Sequence, residues 1–320
     1  MLTQPQRVNL PADAKRRGLA RTVRPVQDET LHSYLSRLSN ANRVPLPDLL
    51  AYLVPTWAGA MIFARVPAVS AETLAVVSRQ PQPSLLYALP ELRTGSAGEG
   101  LRLDGRTLAG EPNVTRLACQ HCMASQSINA PVWCWQRHDQ NVCLRHERWI
   151  GRGVRELSDQ VDISGLPEVA HAQRRHGRLV RRFGRQAVLA GFTAAQTISV
   201  RWLERKDYME IHRRRLIVLH GPDWTIPSNG ASVHAVTYPE AVALAGILSS
   251  PHWHHLGTSP RPQDAQRFND EVRHRVIRAY RGAPAGDPLN RWRSQESLAW
   301  ELAQRRGKTD TPRNTLDETT

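Results

Sequence analysis

Two short turns constrain this chain more than anything else in it. Cys119-Gln120-His121-Cys122 is a CxxC turn, and Cys143-Leu144-Arg145-His146 is a CxxH turn further along. A CxxC turn lets two thiolates chelate one ion from a tight knuckle, and the CxxH turn repeats that geometry. Three thiolates and an imidazole in tetrahedral array are a donor set that Zn²⁺ takes. We therefore assign Cys119, Cys122, Cys143 and His146 as the ligands of one Zn²⁺. The chain has 4 cysteines in 320 residues, too few for a disulfide scaffold. Cys134, between the knuckles, is the alternative fourth ligand. The symmetry of the two turns favours His146 and leaves Cys134 as a small core residue. His121, inside the first knuckle, is expected to be exposed. Four protein ligands leave no open coordination position, so the ion is read as structural. Glu147 follows His146, but neither HxE nor HExxH is present, which weakens a zinc hydrolase or deaminase reading.

Charge sets the next bound. Lys plus Arg number 43 against 29 Asp plus Glu, a net charge of +14. Such an excess draws polyanions and makes nucleic acid the expected partner. Only Lys15, Lys206 and Lys308 are lysines, so an arginine-biased codon usage chooses the cation without creating the excess over acids. The excess is also clustered. Arg174, Arg175, Arg178, Arg181, Arg182 and Arg185 fall together without an acid, joined by His171 and His176, and Arg213-Arg214-Arg215 is a second cluster. Arg174, Arg178 and Arg181 share a helical face at i, i+4 and i+7. Like charges at that spacing weaken an isolated helix unless an anion compensates, so these nine arginines are the candidate nucleic-acid contacts. A solvated basic face is the alternative.

The expected fold class is mainly α: an N-terminal helix-turn-helix-like helical domain, a small zinc-ribbon domain and a helical C-terminal region. Residues 1–24 read as a basic flexible arm, 25–95 as the N-terminal helical domain, 110–152 as the zinc-binding domain, 153–306 as the basic helical C-terminal region and 307–320 as a disordered tail. Asp28-Glu29-Thr30 is expected to start a helix, with acid at its positive dipole end and Leu31, Leu35 and Leu38 on one face. Asn40 to Arg43 form a turn, and Pro47-Asp48 open a second helix with Leu49, Leu50 and Leu53. The pair resembles a helix-turn-helix, also the commonest way to build any helical core. Further on, Val188, Phe192, Ala195 and Trp202 line a helical stretch that Gly191 is expected to break. Tyr238-Pro239-Glu240 open an apolar helix through Leu248. Phe268, Val272, Val276, Ile277 and Tyr280 mark an amphipathic helix, and Leu298 and Leu302 a last one. No internal repeat of 20 to 50 residues stands out. No run of 18 apolar residues and no apolar leader are present, so neither a membrane nor export is expected.

Catalytic machinery has little support. Gly307-Lys308-Thr309 ends like a P-loop, but Leu302 stands where that pattern needs glycine. GxGxxG and GxSxG are absent. Asp159, Asp162 and Glu168 could in principle serve a metal-dependent nuclease, although acids on a loop are ordinarily solvated surface. His252, His254 and His255 around Trp253 lack any cysteine nearby and read as an aromatic helix end or loop. The chain is read as a non-enzyme.

Motif order carries one resemblance. Pro25, the run Glu29-Thr30-Leu31-His32-Ser33-Tyr34-Leu35-Ser36-Arg37-Leu38, Asp48-Leu49-Leu50, Cys119, Cys122, Trp135, Cys143, His146 and Ile150 follow the order and spacing of the TniQ family of bacterial transposition proteins. The match spans about residues 22 to 152, and residues 153 to 320 carry no family motif. The resemblance implies a target-selection adaptor in the bacterial cytoplasm, associated with the nucleoid. Such an adaptor connects target DNA or a CRISPR effector complex to an AAA+ ATPase that recruits the transposase. It also implies a helix-turn-helix module beside a zinc ribbon. Some long members have more than one zinc motif, whereas this chain has one. Self-association as a homodimer stays open. A stand-alone zinc-containing DNA-binding transcriptional regulator shares the charge and the helix pair but needs no ATPase.

Overall fold

The computed structural model describes residues 17–54, 69–93, 113–222, 230–278, 280 and 286–309. It divides into two compact units, residues 1–160 and 161–320. The N-terminal helices and both cysteine turns thus share one unit.

The first unit begins with four helices, α1 (Leu31–Asn42), α2 (Leu46–Leu53), α3 (Ala71–Ser78) and α4 (Gln82–Ala88). Their apolar positions close a single core around Leu31, Tyr34, Leu35, Leu38, Leu49, Leu53, Leu74, Val77, Leu85 and Leu89. The start of α1 differs from the expected one. Thr30 is the N-cap, its hydroxyl accepting from the Ser33 N–H. Glu29 is not the first-turn acid but a fully buried residue in a bridge to Cys134.

The four helices form two copies of one unit, against the expectation of no repeat. Arg43-Val44-Pro45-Leu46-Pro47-Asp48-Leu49-Leu50-Ala51-Tyr52-Leu53 and Arg79-Gln80-Pro81-Gln82-Pro83-Ser84-Leu85-Leu86-Tyr87-Ala88-Leu89 both read R-x-P-x-P-x-L-L-x-x-L. Arg43 (φ 54°, ψ 35°) and Arg79 (φ 56°, ψ 34°) are left-handed C-caps, and Pro45 and Pro81 are the N-caps that follow. Leu38 and Leu74, Leu49 and Leu85, and Leu53 and Leu89 occupy equivalent buried places. The repeat escapes a reading of apolar periodicity because its identities lie in the turn and second helix, while the first helices share little beyond that leucine.

After the helices, β1 (Asn113–Leu117) pairs antiparallel with β2 (Trp133–Arg137), and β3 (Val142–Cys143) pairs antiparallel with β4 (Arg148–Trp149). A one-and-a-half-turn helix, α5 (Gln120–Ala124), carries the first cysteine turn. Residues 28–30 run along the free edge of β2: the Thr30 N–H donates to Trp133 O (2.8 Å) and the Trp135 N–H to Asp28 O (2.7 Å). The chain entering α1 is thereby bridged to the edge of the hairpin at Glu29 and Cys134. The first described residues also differ from a flexible arm, since residues 17–24 are hydrogen-bonded to α1, α2 and α3.

The second unit is helical throughout its described residues: α6 (Pro167–Phe183), α7 (Arg185–Leu203), α8 (Lys206–His220), α9 (Ala231–Leu248), α10 (Pro251–Thr258), α11 (Pro262–Arg275) and α12 (Pro288–Thr309). The central helix is α9, against which α6, α7, α8, α10 and α11 pack. It is apolar on every side because it is enclosed on every side. By length and composition it could cross a membrane, but 83% of its span is buried in this unit. Pro239 sits within α9 rather than at its start. Gly191 does not break α7; a Cβ there would lie 2.5 Å from Ser249 Oγ, so the glycine lets α7 and the end of α9 approach. The break falls at Gly184, whose φ of +83° suits a residue without Cβ. Phe268 and Val272 are buried on α11, whereas Ile277 and Tyr280 are buried beyond its end. The last helix runs through Gly307-Lys308-Thr309, and residues 310–320 of the expected tail lie outside the described residues.

Candidate metal centre and basic surfaces

The two cysteine turns converge as their spacing implies. Cys119 is the N-cap of α5 and Cys122 lies one turn along it; Cys143 ends β3, and His146 lies in the tight turn before β4. The ligand atoms of Cys119, Cys122, Cys143 and His146 all lie within 4.8 Å of one another. Cys122 Sγ to Cys143 Sγ is 3.7 Å, and His146 Nδ1 lies 3.6, 3.3 and 3.7 Å from the sulfurs of Cys119, Cys122 and Cys143. Tetrahedral zinc with ordinary bond lengths requires edges of about 3.8 Å between sulfurs and about 3.5 Å from sulfur to nitrogen. The group could hold a metal ion.

Hydrogen bonds outside the ligands hold both turns in place. Gln160 Oε1 accepts from the Gln120 N–H (2.9 Å), and its Nε2 donates to Ala118 O (2.8 Å), bracketing the first knuckle. Arg148, on the strand leaving the second turn, donates to the Gln160 carbonyl (2.8 Å). One glutamine therefore ties the two turns together, a role its isolated place in the sequence does not announce. The thiols compete for one negative charge: hydrogen bonds from Cys119 and its other neighbours hold Cys143 down at about 4, while Cys119 is pushed far up, chiefly by its bond to Cys143. A cation among them relieves that competition.

Cys134 stands outside this group, on β2. It is buried with Val26, Ala118, Met123 and Val132, and burial pushes its thiol up to about 12. His121 is exposed, its ring centroid 5.6 Å from that of His146. His254 lies 3.7 Å from Glu296 and edge-on to Trp292, and His252 packs on Trp253. Among the described residues, His252, His254 and His255 do not gather into a metal-holding group. Asp159 accepts from the N–H groups of Arg155 and Glu156, Asp162 from Ser164, and Glu168 pairs with Arg215.

The candidate arginines divide. Arg174, Arg178, Arg181 and Arg182 are exposed on the side of α6 opposite its buried residues Val169, Ala172, Gln173 and His176. Arg175 is half-buried beside them; burial lowers its pKa first, then the charges of Arg275 and Arg178. Arg185, at the start of α7, is also partly buried. His176, grouped with these residues by sequence, points inward to Tyr238 Oη (2.9 Å). Arg214 is exposed on α8, and exposed Arg213 lies 3.8 Å from Glu210. Arg215 requires a correction: it is 9% exposed, and binds Glu168 at 2.9 Å, both oxygens of Glu240 at 2.7 and 3.0 Å, and Val236 O. Position in a triplet did not reveal that the third arginine is buried between Glu168 of α6 and Glu240 of α9, two acids from distant sequence.

The run between Glu29 and Arg37 has a role of its own. Glu29 accepts from Arg37 Nε (2.8 Å) and Nη2 (2.6 Å), from Ser33 Oγ (2.9 Å) and from the Val26 N–H (3.0 Å). Ser33 Oγ accepts from the Trp133 N–H (3.0 Å). Glu91 completes the junction, accepting from the Leu31 N–H and from Trp135 Nε1. Spaced at i, i+4 and i+8, Glu29, Ser33 and Arg37 are thus a buried polar clip between α1 and the hairpin that leads to the candidate metal centre.

Neither a curated protein nor a solved structure matches this chain at significant similarity. A family model described as TniQ matches residues 20–149, the span from the strap before α1 to the last strand of the cysteine hairpins. Over that segment, less than half of the chain, the protein is similar to the TniQ family, which is associated with transposition.

Proposed function

We propose that this protein is a target-selection adaptor of DNA transposition, which engages a target and recruits an AAA+ ATPase that in turn directs the transposase. The observation that carries this reading is the TniQ match over residues 20–149, a segment the buried Glu29–Arg37 clip joins into one body. In this reading Cys119, Cys122, Cys143 and His146 hold one structural Zn²⁺, supported by sulfur and nitrogen spacings that suit a tetrahedral ion. The role is non-enzymatic: zinc contributes folding energy, and the protein acts by binding.

Target DNA is engaged through the exposed arginines of α6, Arg174, Arg178, Arg181 and Arg182, with Arg175 and Arg185 at their margin. Their side chains cover one helical face, and phosphates offset the repulsion among them. Arg213 and Arg214 add a smaller site on α8, without Arg215. Docking on a CRISPR effector complex is the alternative form of target engagement. The adaptor acts on the bacterial nucleoid. An in vitro insertion reaction with the cognate transposase and ATPase tests the proposal: insertions concentrate at a preferred target when this protein is added and scatter when it is omitted. An insertion pattern indifferent to the protein, alongside sequence-selective DNA binding, would favour a stand-alone regulator.

A further inference from the structure

A second cationic surface lies on the first unit, built from three separate segments. Residues 17–24 run as a strap across the turns of both helix-turn-helix copies. The Arg17 N–H donates to Tyr52 Oη (2.7 Å), the Leu19 N–H to Val77 O (2.8 Å), and the Asn42 side chain both accepts from the Arg21 N–H (2.8 Å) and donates to Arg21 O (2.9 Å). The seating is close enough that a Cβ on Gly18 would meet Arg79 Cγ at 2.6 Å. The strap therefore brings Arg17 beside the Arg79 turn and Arg21 beside Asn42, the neighbour of Arg43. Arg17, Arg21, Arg43 and Arg79 are all exposed, and among the described residues no ion pair to an acid involves any of them.

The turn positions themselves point to a use for these side chains. A left-handed C-cap is ordinarily glycine or asparagine, and other residues there carry strain. Both copies of the repeat place arginine at that position, with φ of 54° and 56°. The same strained choice at two equivalent turns, each overlain by the same strap, indicates that the guanidinium is retained for what it contacts. Beside Arg43 the surface opens into a cleft also lined by Ser36, Asn40 and Leu46. Tyr52 is tied to Arg17 through its hydroxyl, and four exposed cations at the strap and the two turns suit the closely spaced phosphates of a duplex. By contrast, α2 exposes Pro47, Asp48 and Ala51, which gives a recognition helix no cation with which to enter a groove.

We propose that Arg17, Arg21, Arg43 and Arg79 form a second phosphate-binding site for duplex DNA, separate from the α6 face, so that the helix-turn-helix pairs grip the backbone through their turns. The inference rests on the reading that this protein engages DNA directly. The test uses the full chain, a fluorescein-labelled DNA duplex of about 30 base pairs, and anisotropy titrations across a series of KCl concentrations. The variant Arg43→Asn/Arg79→Asn keeps side chains that tolerate the left-handed turn. Losing two phosphate contacts lowers the slope of log affinity against log salt by about 1.8 and weakens binding ~60-fold at 0.1 M salt. Arg17→Gln/Arg21→Gln, which leaves both turns intact, gives a loss of the same order and keeps the conclusion independent of turn folding. The α6 variant Arg174→Ala/Arg178→Ala/Arg181→Ala runs in parallel. If the unaltered protein shows no salt-dependent affinity for DNA, the direct DNA reading fails. If it binds and only the α6 variant weakens, this second site alone is refuted. Stronger binding to a matched RNA duplex, with the same dependence on the four arginines, overturns the assignment to DNA.

Discussion

Breaking the Glu29–Arg37 pair is the most informative single perturbation of the first unit. Glu29 is fully buried and Arg37 is 7% exposed, and the carboxylate accepts two bonds from the guanidinium besides those from Ser33 and the Val26 N–H. Replacing Arg37 with Met leaves a buried carboxylate short of its counter-charge, a change that typically costs about 3–5 kcal/mol. For a folding unit of this size that is a fall of ~6–20 °C in its midpoint. Glu29→Gln gives a loss of similar sign, because it strands the guanidinium. The double variant Glu29→Gln/Arg37→Met removes both charges and recovers part of the loss, so the two changes are strongly non-additive. Urea unfolding of the full chain, followed by release of bound zinc to a chromogenic chelator, reads the first unit specifically. The clip joins α1 to β2, so zinc release and loss of helix in this unit shift together. A cost under about 1 kcal/mol for Arg37→Met, or simple additivity of the two changes, would refute the assignment of this pair as the junction.

Other substitutions test the remaining parts. Cys143→Ser loses bound zinc, from one equivalent to none by elemental analysis, and melts the first unit; full retention of metal and melting temperature would sink the metal assignment. Arg174→Ala/Arg178→Ala/Arg181→Ala flattens the salt dependence of DNA binding by about 2.7 in slope at little cost to stability, whereas an unchanged slope would reassign the face. Arg215→Met strands Glu240 and destabilises the second unit by roughly 3–5 kcal/mol, while Arg214→Ala stays within about 0.5 kcal/mol. Equal effects at these neighbours would contradict the buried bridge.

What could be read from sequence was what is local. The two turns with matching spacing carry their own geometry, so the gathering of Cys119, Cys122, Cys143 and His146 into a group that could hold a metal ion was legible, as was the mainly helical class from apolar spacing. Residues whose partners are distant were not. Glu29 reads as a first-turn acid until β2 supplies the strand it joins, and Arg215 reads as one of a basic triplet until Glu168 and Glu240 meet it. Gln160 gives no signal at all, because its role lies in two backbone groups around Ala118 and Gln120. The repeat was hidden for a different reason: it lives in turn residues and second helices, and apolar periodicity weighs first helices as heavily. Pro239 misled because proline more often opens a helix than sits within one, and only an enclosing helical layer supports it in the middle of α9.

The adaptor role is tested most directly by co-sedimentation of this protein with its cognate AAA+ ATPase on duplex DNA, with and without ATP. The account predicts a ternary complex in which the ATPase is retained on DNA only when this protein is present. DNA binding by the protein with no effect on where or whether the ATPase is retained would contradict it.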